Sequence, residues 1–155
     1  MPDAAAFEAM AAAHYPRLVR RLTLVVRDPE EARDLAQSTL ERAFAARSSL
    51  DGRDLGPWLN TIGLRLALNE VRRRKRRPWL SLRQEVTSPD GMPDPDLWVA
   101  LGELRREEVV ALVLNALEGY TQAEIAERLR VPEGTVASWI SRAKARLRER
   151  LEESP

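Results

Sequence analysis

Cysteine is absent from the 155 residues, and histidine occurs once, at His14. The first absence excludes disulfides and thiolate metal sites and fits a reducing compartment. The second removes much of the usual acid–base and metal chemistry, and neither a glycine-rich phosphate loop nor a clustered carboxylate site compensates for it. His14 therefore reads as a residue that caps or lines the first helix. Asp34 and Glu41 stand two turns apart on one helix with no further ligands in view. No catalytic residue, cofactor or metal is expected. Long hydrophobic runs are missing as well: no stretch is apolar enough to span a bilayer, and no basic segment followed by an apolar run opens the chain. The expected location is the cytoplasm. Finally, there is little excess of either sign of charge, with 25 Lys and Arg against 24 Asp and Glu and a formal net charge of +1. Only the placement of charge, not its sum, can then argue for a nucleic-acid partner.

That placement is segregated. "RRRKRRP", Arg72 to Pro78, is basic, and so is the C-terminal helix, whereas "EVTSPDGMPDPDLW", Glu85 to Trp98, is acidic and rich in proline. Pro78, Pro89, Pro93 and Pro95 interrupt any continuous helix, and Ser81, Ser88, Asp90 and Gly91 offer turns with few groups to bury. Residues 78–97 read as a linker, which at about twenty residues spans roughly 65 Å when extended. Charge-rich, helix-prone sequence with almost no β-type alternation lies on either side. The expected fold is all-α, with one small helical domain at 1–77 and a second at 98–155.

In the second domain, "EGTVASWISRAKARLRERL" repeats Val136, Ile140, Ala143, Leu147 and Leu151 at helical spacing, which defines a buried face. The other side begins with Ala137, Ser138, Ser141 and Arg142, and Lys144, Arg146, Arg148 and Arg150 flank it. Those cations either bind phosphate or only complement the helix dipole. The preceding residues favour phosphate. Thr121 and Glu124 have capping-box spacing, Ala123, Ile125, Ala126 and Leu129 give a short helix its apolar side, and Val131 to Gly134 break it. Pro132 suits the first position of the next helix. Helix, short turn, helix is the helix-turn-helix pattern, whose second helix can enter a DNA major groove.

The first domain begins with apolar positions at Phe7, Met10, Leu18, Leu22 and Val25 and an expected bend at Pro16. A second helix starts at Asp28 as N-cap, with Pro29 as first helical residue and Glu31 as capping-box acid. Ala32, Leu35, Ala36, Leu40 and Ala43 form its apolar side. Asp34, Gln37, Ser38 and Glu41 form a polar stripe that, from the residues alone, is either a solvated face or a binding surface. A third helix, from about Pro57 to Arg74, has two apolar lines. Between them run Trp58, Thr61, Arg65, Asn69 and Arg72. Aromatic, amide and guanidinium groups in a row can hold single-stranded nucleic acid; equally, Trp58 can be a core anchor and the arginines a solubility patch.

Taken together, "DLAQSTLERAFAA", "PWLNTIGLRLALNEVRRR" and "LEGYTQAEIAERLRVPEGTVASWISRAKARLR" resemble the extracytoplasmic-function (ECF) group of bacterial sigma factors, two-domain members of the sigma-70 family, over nearly the whole chain. The resemblance implies that Asp34, Gln37, Ser38 and Glu41 dock on the β′ clamp helices of core RNA polymerase. It implies that Trp58, Thr61, Arg65, Asn69, Arg72 and Arg73 hold the single-stranded promoter −10 element. Thr135, Ala137, Ser138, Trp139, Ser141, Arg142, Lys144 and Arg146 would face the double-stranded −35 element, with Lys144 and Arg146 nearer phosphates. Further implied contacts are the β flap of the polymerase and an anti-sigma factor.

The chain departs from the family pattern at Arg65 and Asn69, where asparagine and aspartate are usual, and at Ala137 and Trp139, where basic residues are frequent. Arg105 and Val109 likewise replace a proline and an arginine. Base preference therefore does not carry over. A stand-alone helix-turn-helix regulator would leave the first domain without a role, and a degenerate sigma factor with altered promoter recognition is the other reading these departures leave open.

Overall fold

The computed structural model describes residues 3–50, 54–76 and 94–153. Among them are seven α-helices, one short 3-10 turn and no strand: α1 (Ala4–Val26), α2 (Pro29–Ala45), the turn Arg47–Ser49, α3 (Leu55–Arg76), α4 (Pro95–Gly102), α5 (Arg106–Ala116), α6 (Gln122–Leu129) and α7 (Glu133–Glu152). The fold is all-α, and the chain divides into two compact units between Arg83 and Gln84. Most of the proposed linker lies outside the described residues. Its last residues do not: Asp94 accepts a hydrogen bond from the Asp96 N–H at 2.9 Å, and Pro95 opens α4. Proline at a helix start lacks only an N–H that would have no partner there anyway.

In the first unit α1, α2 and α3 pack against one another. Phe7, Ala11, Leu18, Leu22 and Val25 recur on one face of α1 and are buried. The residues that α2 contributes are small, among them Ala32, Ala36, Thr39 and Ala43, all fully enclosed. Small residues on one helix let its neighbours approach closely, and Gly63 of α3 shows how closely. A Cβ added there would stand 2.9 Å from Leu18 Cδ1, 3.1 Å from Leu22 Cδ2 and 3.2 Å from Thr39 Oγ1. The expected bend at Pro16 does not end the helix, since α1 runs through it. Arg27, in the left-handed conformation with φ of 67°, turns the chain into α2, where Asp28 caps the Glu30 N–H at 3.0 Å.

In the second unit α7 is the central element, packed against α4, α5 and α6. Trp98, Leu101 and Leu104 from the α4 region, Val109, Val110, Val113 and Leu114 from α5, and Ile125 from α6 enclose Val136, Ile140 and Ala143. The capping box that opens α6 is formed in both directions: Thr121 Oγ1 accepts from Glu124 N–H at 3.1 Å, and Glu124 Oε1 accepts from Thr121 N–H at 3.0 Å. The Thr121 backbone N–H, followed by the Thr121 side chain, holds the Glu124 carboxyl below the usual carboxylate range. Arg130, with φ of 58°, ends α6 in a left-handed residue. Pro132 is the N-cap of α7 rather than its first residue, so the helix begins one position later than the sequence pattern implies, and the Pro132 carbonyl accepts the Thr135 N–H at 3.0 Å. At the far end Leu151 is exposed, so the buried stripe of α7 stops short of it.

Candidate nucleic-acid and protein interfaces

The polar stripe of α2 is set by the burial of its opposite side. Because Ala32, Ala36, Thr39 and Ala43 turn inward, Asp34, Gln37, Ser38 and Glu41 all turn out. The structure adds a feature that spacing within one helix cannot reveal. Gln37, Leu40, Glu41 and Phe44 form one wall of an open groove of about 470 Å³, and Phe7, Glu8, Ala11, Ala12 and Tyr15 of α1 line the rest. Phe7 and Phe44 meet edge to face at 5.6 Å, and the Arg47 guanidinium lies 4.1 Å over the Phe44 ring. The surface is thus an acidic and amide rim beside an apolar floor.

On α3 the expected row does not stay together. Thr61 is withdrawn from it: the residue is 7% exposed, and its hydroxyl donates to the Pro57 carbonyl at 2.8 Å. The reason is positional, since Thr61 follows Leu59 and Asn60 into the interface that Gly63 and Leu64 continue. Trp58 is half-buried against the cluster of Phe7, Ala11, Ala43, Leu55 and Leu59. It is a core anchor that still shows part of its ring. Arg65 and Asn69 are exposed and Arg72 is partly so. One turn further, Arg73 forms a fork on Glu70, with Nε to Oε2 at 3.1 Å and Nη2 to Oε1 at 2.7 Å. The Arg73 hydrogen bond, with both Arg73 and Arg74 nearby, holds the Glu70 carboxyl below the usual range. Arg74 turns the other way and pairs with the nearly buried Glu31 of α2, while its Nε stays 3.4 Å from Glu70. The basic run is therefore divided by two carboxylates, one of which, Glu70, is legible as an i, i+3 and i, i+4 partner. Glu31, whose spacing from Asp28 reads as that of a capping-box acid, lies 43 residues from Arg74 in sequence.

On α7, Ser141, Arg142, Lys144 and Arg146 are exposed, and Thr135, Ala137 and Ser138 are partly so. Trp139 does not join the expected DNA-facing row: at 7% exposure it belongs to the core. It stands three residues after Val136 and four before Ala143, which places it on the edge of the buried stripe, and a large ring at such an edge folds inward. A β-carbon on Gly134 would meet nothing within 4 Å, so the start of α7 is open to a partner.

Among the described residues the chain is all-helical, with a helix-turn-helix in one unit and a split arginine row and an acidic stripe in the other, the features of a DNA-binding class of protein. The comparisons with known proteins narrow this class. Residues 10–77 match the family model "Sigma-70 region 2", and residues 96–147 match "Sigma-70, region 4". The chain is 31% identical over 150 residues to the ECF RNA polymerase sigma factor SigM of Mycobacterium tuberculosis, covering 94% of this chain and 76% of that protein. It is 30% identical over 143 residues to the ECF RNA polymerase sigma factor SigW of Bacillus subtilis, covering 78% and 75%. A solved structure of the sigma factor RpoE in complex with the anti-sigma factor NepR, from Bartonella quintana, superposes with a TM-score of 0.77 at 26% identity, over 96% of this chain and 98% of that one. The chain belongs to the ECF group of the sigma-70 family, whose members are transcription initiation factors and not enzymes. Among the described residues, no helix is long and apolar enough to cross a membrane.

Proposed function

We propose that the chain directs core RNA polymerase to promoters through three surfaces. The exposed stripe Asp34, Gln37, Ser38 and Glu41, with the groove beside it, docks on the polymerase clamp helices. Trp58, Arg65, Asn69, Arg72 and Arg73 hold the −10 region as a single strand: the guanidinium groups neutralise phosphates, the visible part of the Trp58 ring supports an unstacked base, and Asn69 offers an amide to a base edge. Capture of a flipped base offsets part of the few kcal/mol needed to unstack it, which is how binding alone can favour an open duplex. Thr135, Ala137, Ser138, Ser141 and Arg142 face the −35 major groove, and Lys144 meets a phosphate.

The observation that carries this reading is the exposure of the α2 stripe on a unit separate from the helix-turn-helix. A stand-alone DNA-binding regulator has no use for it. Residues 78–97, as the tether between the two units, would thread the polymerase. An anti-sigma protein that covered the same stripe would hold the chain inactive. Gel filtration with purified core polymerase tests the assignment: co-elution that survives moderate salt supports it, and separate elution at both low and moderate salt overturns it.

A further inference from the structure

The cations of α7 are not one set. A helix advances about 100° per residue, so from Arg142 the positions Arg146 and Arg150 step round by about 40° and 80°, away from Ser138 and Ser141 and toward buried Ala143. Lys144 and Arg148 lie on the other flank. The two groups meet different surroundings. Arg146 Nη1 reaches Glu108 Oε1 at 3.5 Å, and Arg150 Nη2 lies 3.3 Å from Glu103 Oε1. Glu103 follows the end of α4, and Glu108 sits in the first turn of α5. Two arginines one turn apart thus cross from α7 to the corner where α4 passes into α5.

The inner pair is the unusual one. Glu108 is fully enclosed, at 0% exposure. Its Oε1 accepts the Arg105 N–H at 2.9 Å, and its Oε2 has no hydrogen-bond partner among the described residues. A carboxylate removed from water is costly unless a cation and donors compensate it. Other charges face this corner. Glu107 is nearly buried and lies 3.4 Å from Arg105, and Arg106 donates to the carbonyls of Leu101 and Leu104 at 2.8 and 2.7 Å. Arg146 is the cation that reaches Glu108 from another helix, and it is still 54% exposed along its side chain. The outer pair, Arg150 with Glu103, is exposed on both sides and contributes little by itself. Its effect is to add a second point that resists rotation of α7.

We infer that Arg146 is a positioning residue and not a phosphate contact: by pairing with enclosed Glu108, with Arg150 on Glu103 as an outer tie, it fixes the roll of α7 on α5 and so the direction in which Ser138, Ser141 and Arg142 face the duplex. This rests on the reading of α7 as the −35 helix. It divides the positive charge of that helix into an internal clasp, Arg146 and Arg150, and a DNA-facing set, Arg142, Lys144 and Arg148.

The test uses the full chain bound to core RNA polymerase and a duplex selected from a random-sequence pool by that wild-type assembly. Each phosphate contact removed lowers the slope of log affinity against log salt by about 0.9. K144Q is expected to lower it by that amount. R146Q is expected to keep the wild-type slope while losing affinity by about tenfold. The double variant E108Q/R146Q should recover most of that affinity, since a neutral amide at 108 needs no cation, and its loss of melting midpoint in the unbound chain should be well below the sum of the two single losses. A slope reduced by about 0.9 in R146Q, or an affinity that E108Q cannot rescue, would overturn the clasp. If R146Q does not fold, E108Q/R146Q is compared with E108Q instead: an unchanged slope supports the inference, and a slope reduced by about 0.9 defeats it. Wild type that selects no duplex at all would sink the −35 reading instead, and the melting cycle in the unbound chain would still decide the clasp.

Discussion

A single side chain at the edge of a helix stripe can belong to the core or to a partner, and its size decides. Trp139 and Ser138 are neighbours, yet the ring is 7% exposed while the hydroxyl is partly open. Trp139→Ala should therefore lower stability by about 3–5 kcal/mol through a cavity beside Val136 and Ile140, read as a shift in the urea midpoint, with Trp139→Phe close to wild type. Arg142→Ala should leave that midpoint in place. Equal midpoints for Trp139→Ala and wild type would return the ring to the DNA face. Glu70 carries a second residue-scale expectation. Its carboxyl is held below the usual range chiefly by the Arg73 hydrogen bond, so the folded state binds fewer protons than the unfolded chain in acid. Its contribution is complete above the ordinary glutamate pKa and fades as pH falls through the depressed folded value. The stability gap between wild type and Glu70→Gln should be present at neutral pH and close in that acid window. A gap that widens in acid would mean the opposite shift.

Elements were more legible than the faces they form. The capping box at Thr121, the N-cap at Asp28 with Pro29 and the apolar spacing of α7 were all visible because each depends on residues within a few positions. Thr121→Ala should cost about 1 kcal/mol, seen as earlier thermal unfolding of the second unit. What depends on another helix was not visible. Thr61 shares a face with Arg65 by spacing, but the depth of its burial follows from how closely α3 approaches α1 and α2 at Gly63. The apolar groove beside the α2 stripe needs α1 for its far wall. The arginine run reads as continuous in sequence, and only the fold brings Glu31 to Arg74. Gly63→Val tests the close approach. The added Cβ and its two methyl groups would press on Leu18, Leu22 and Thr39, and the first unit should lose at least about 2 kcal/mol despite the better helix propensity of valine over glycine. Unchanged thermal unfolding would show that the three helices can part there at little cost.

At the scale of the molecule, two units on one chain make each other's binding local. Once the first is held on the polymerase, the second meets DNA at an effective concentration set by the tether, and apparent affinity can rise by about 10²–10⁴ over either site alone. The two kinds of surface variant should therefore fail differently. On the proposed docking role of α2, Asp34→Ala combined with Gln37→Ala should weaken the anchor itself, so every promoter should lose transcript by a similar factor, and excess protein should restore it by mass action. Arg142→Ala leaves the anchor intact, so co-elution with core polymerase should be unchanged while transcript falls most at promoters that rely on the −35 element. Excess protein cannot restore it there, because the polymerase is already occupied. Run-off transcription over a titration of each variant separates the two: a shifted midpoint with a full plateau for the α2 pair, and an unshifted midpoint with a lower plateau for Arg142→Ala. The reverse pattern would exchange the roles of the two surfaces.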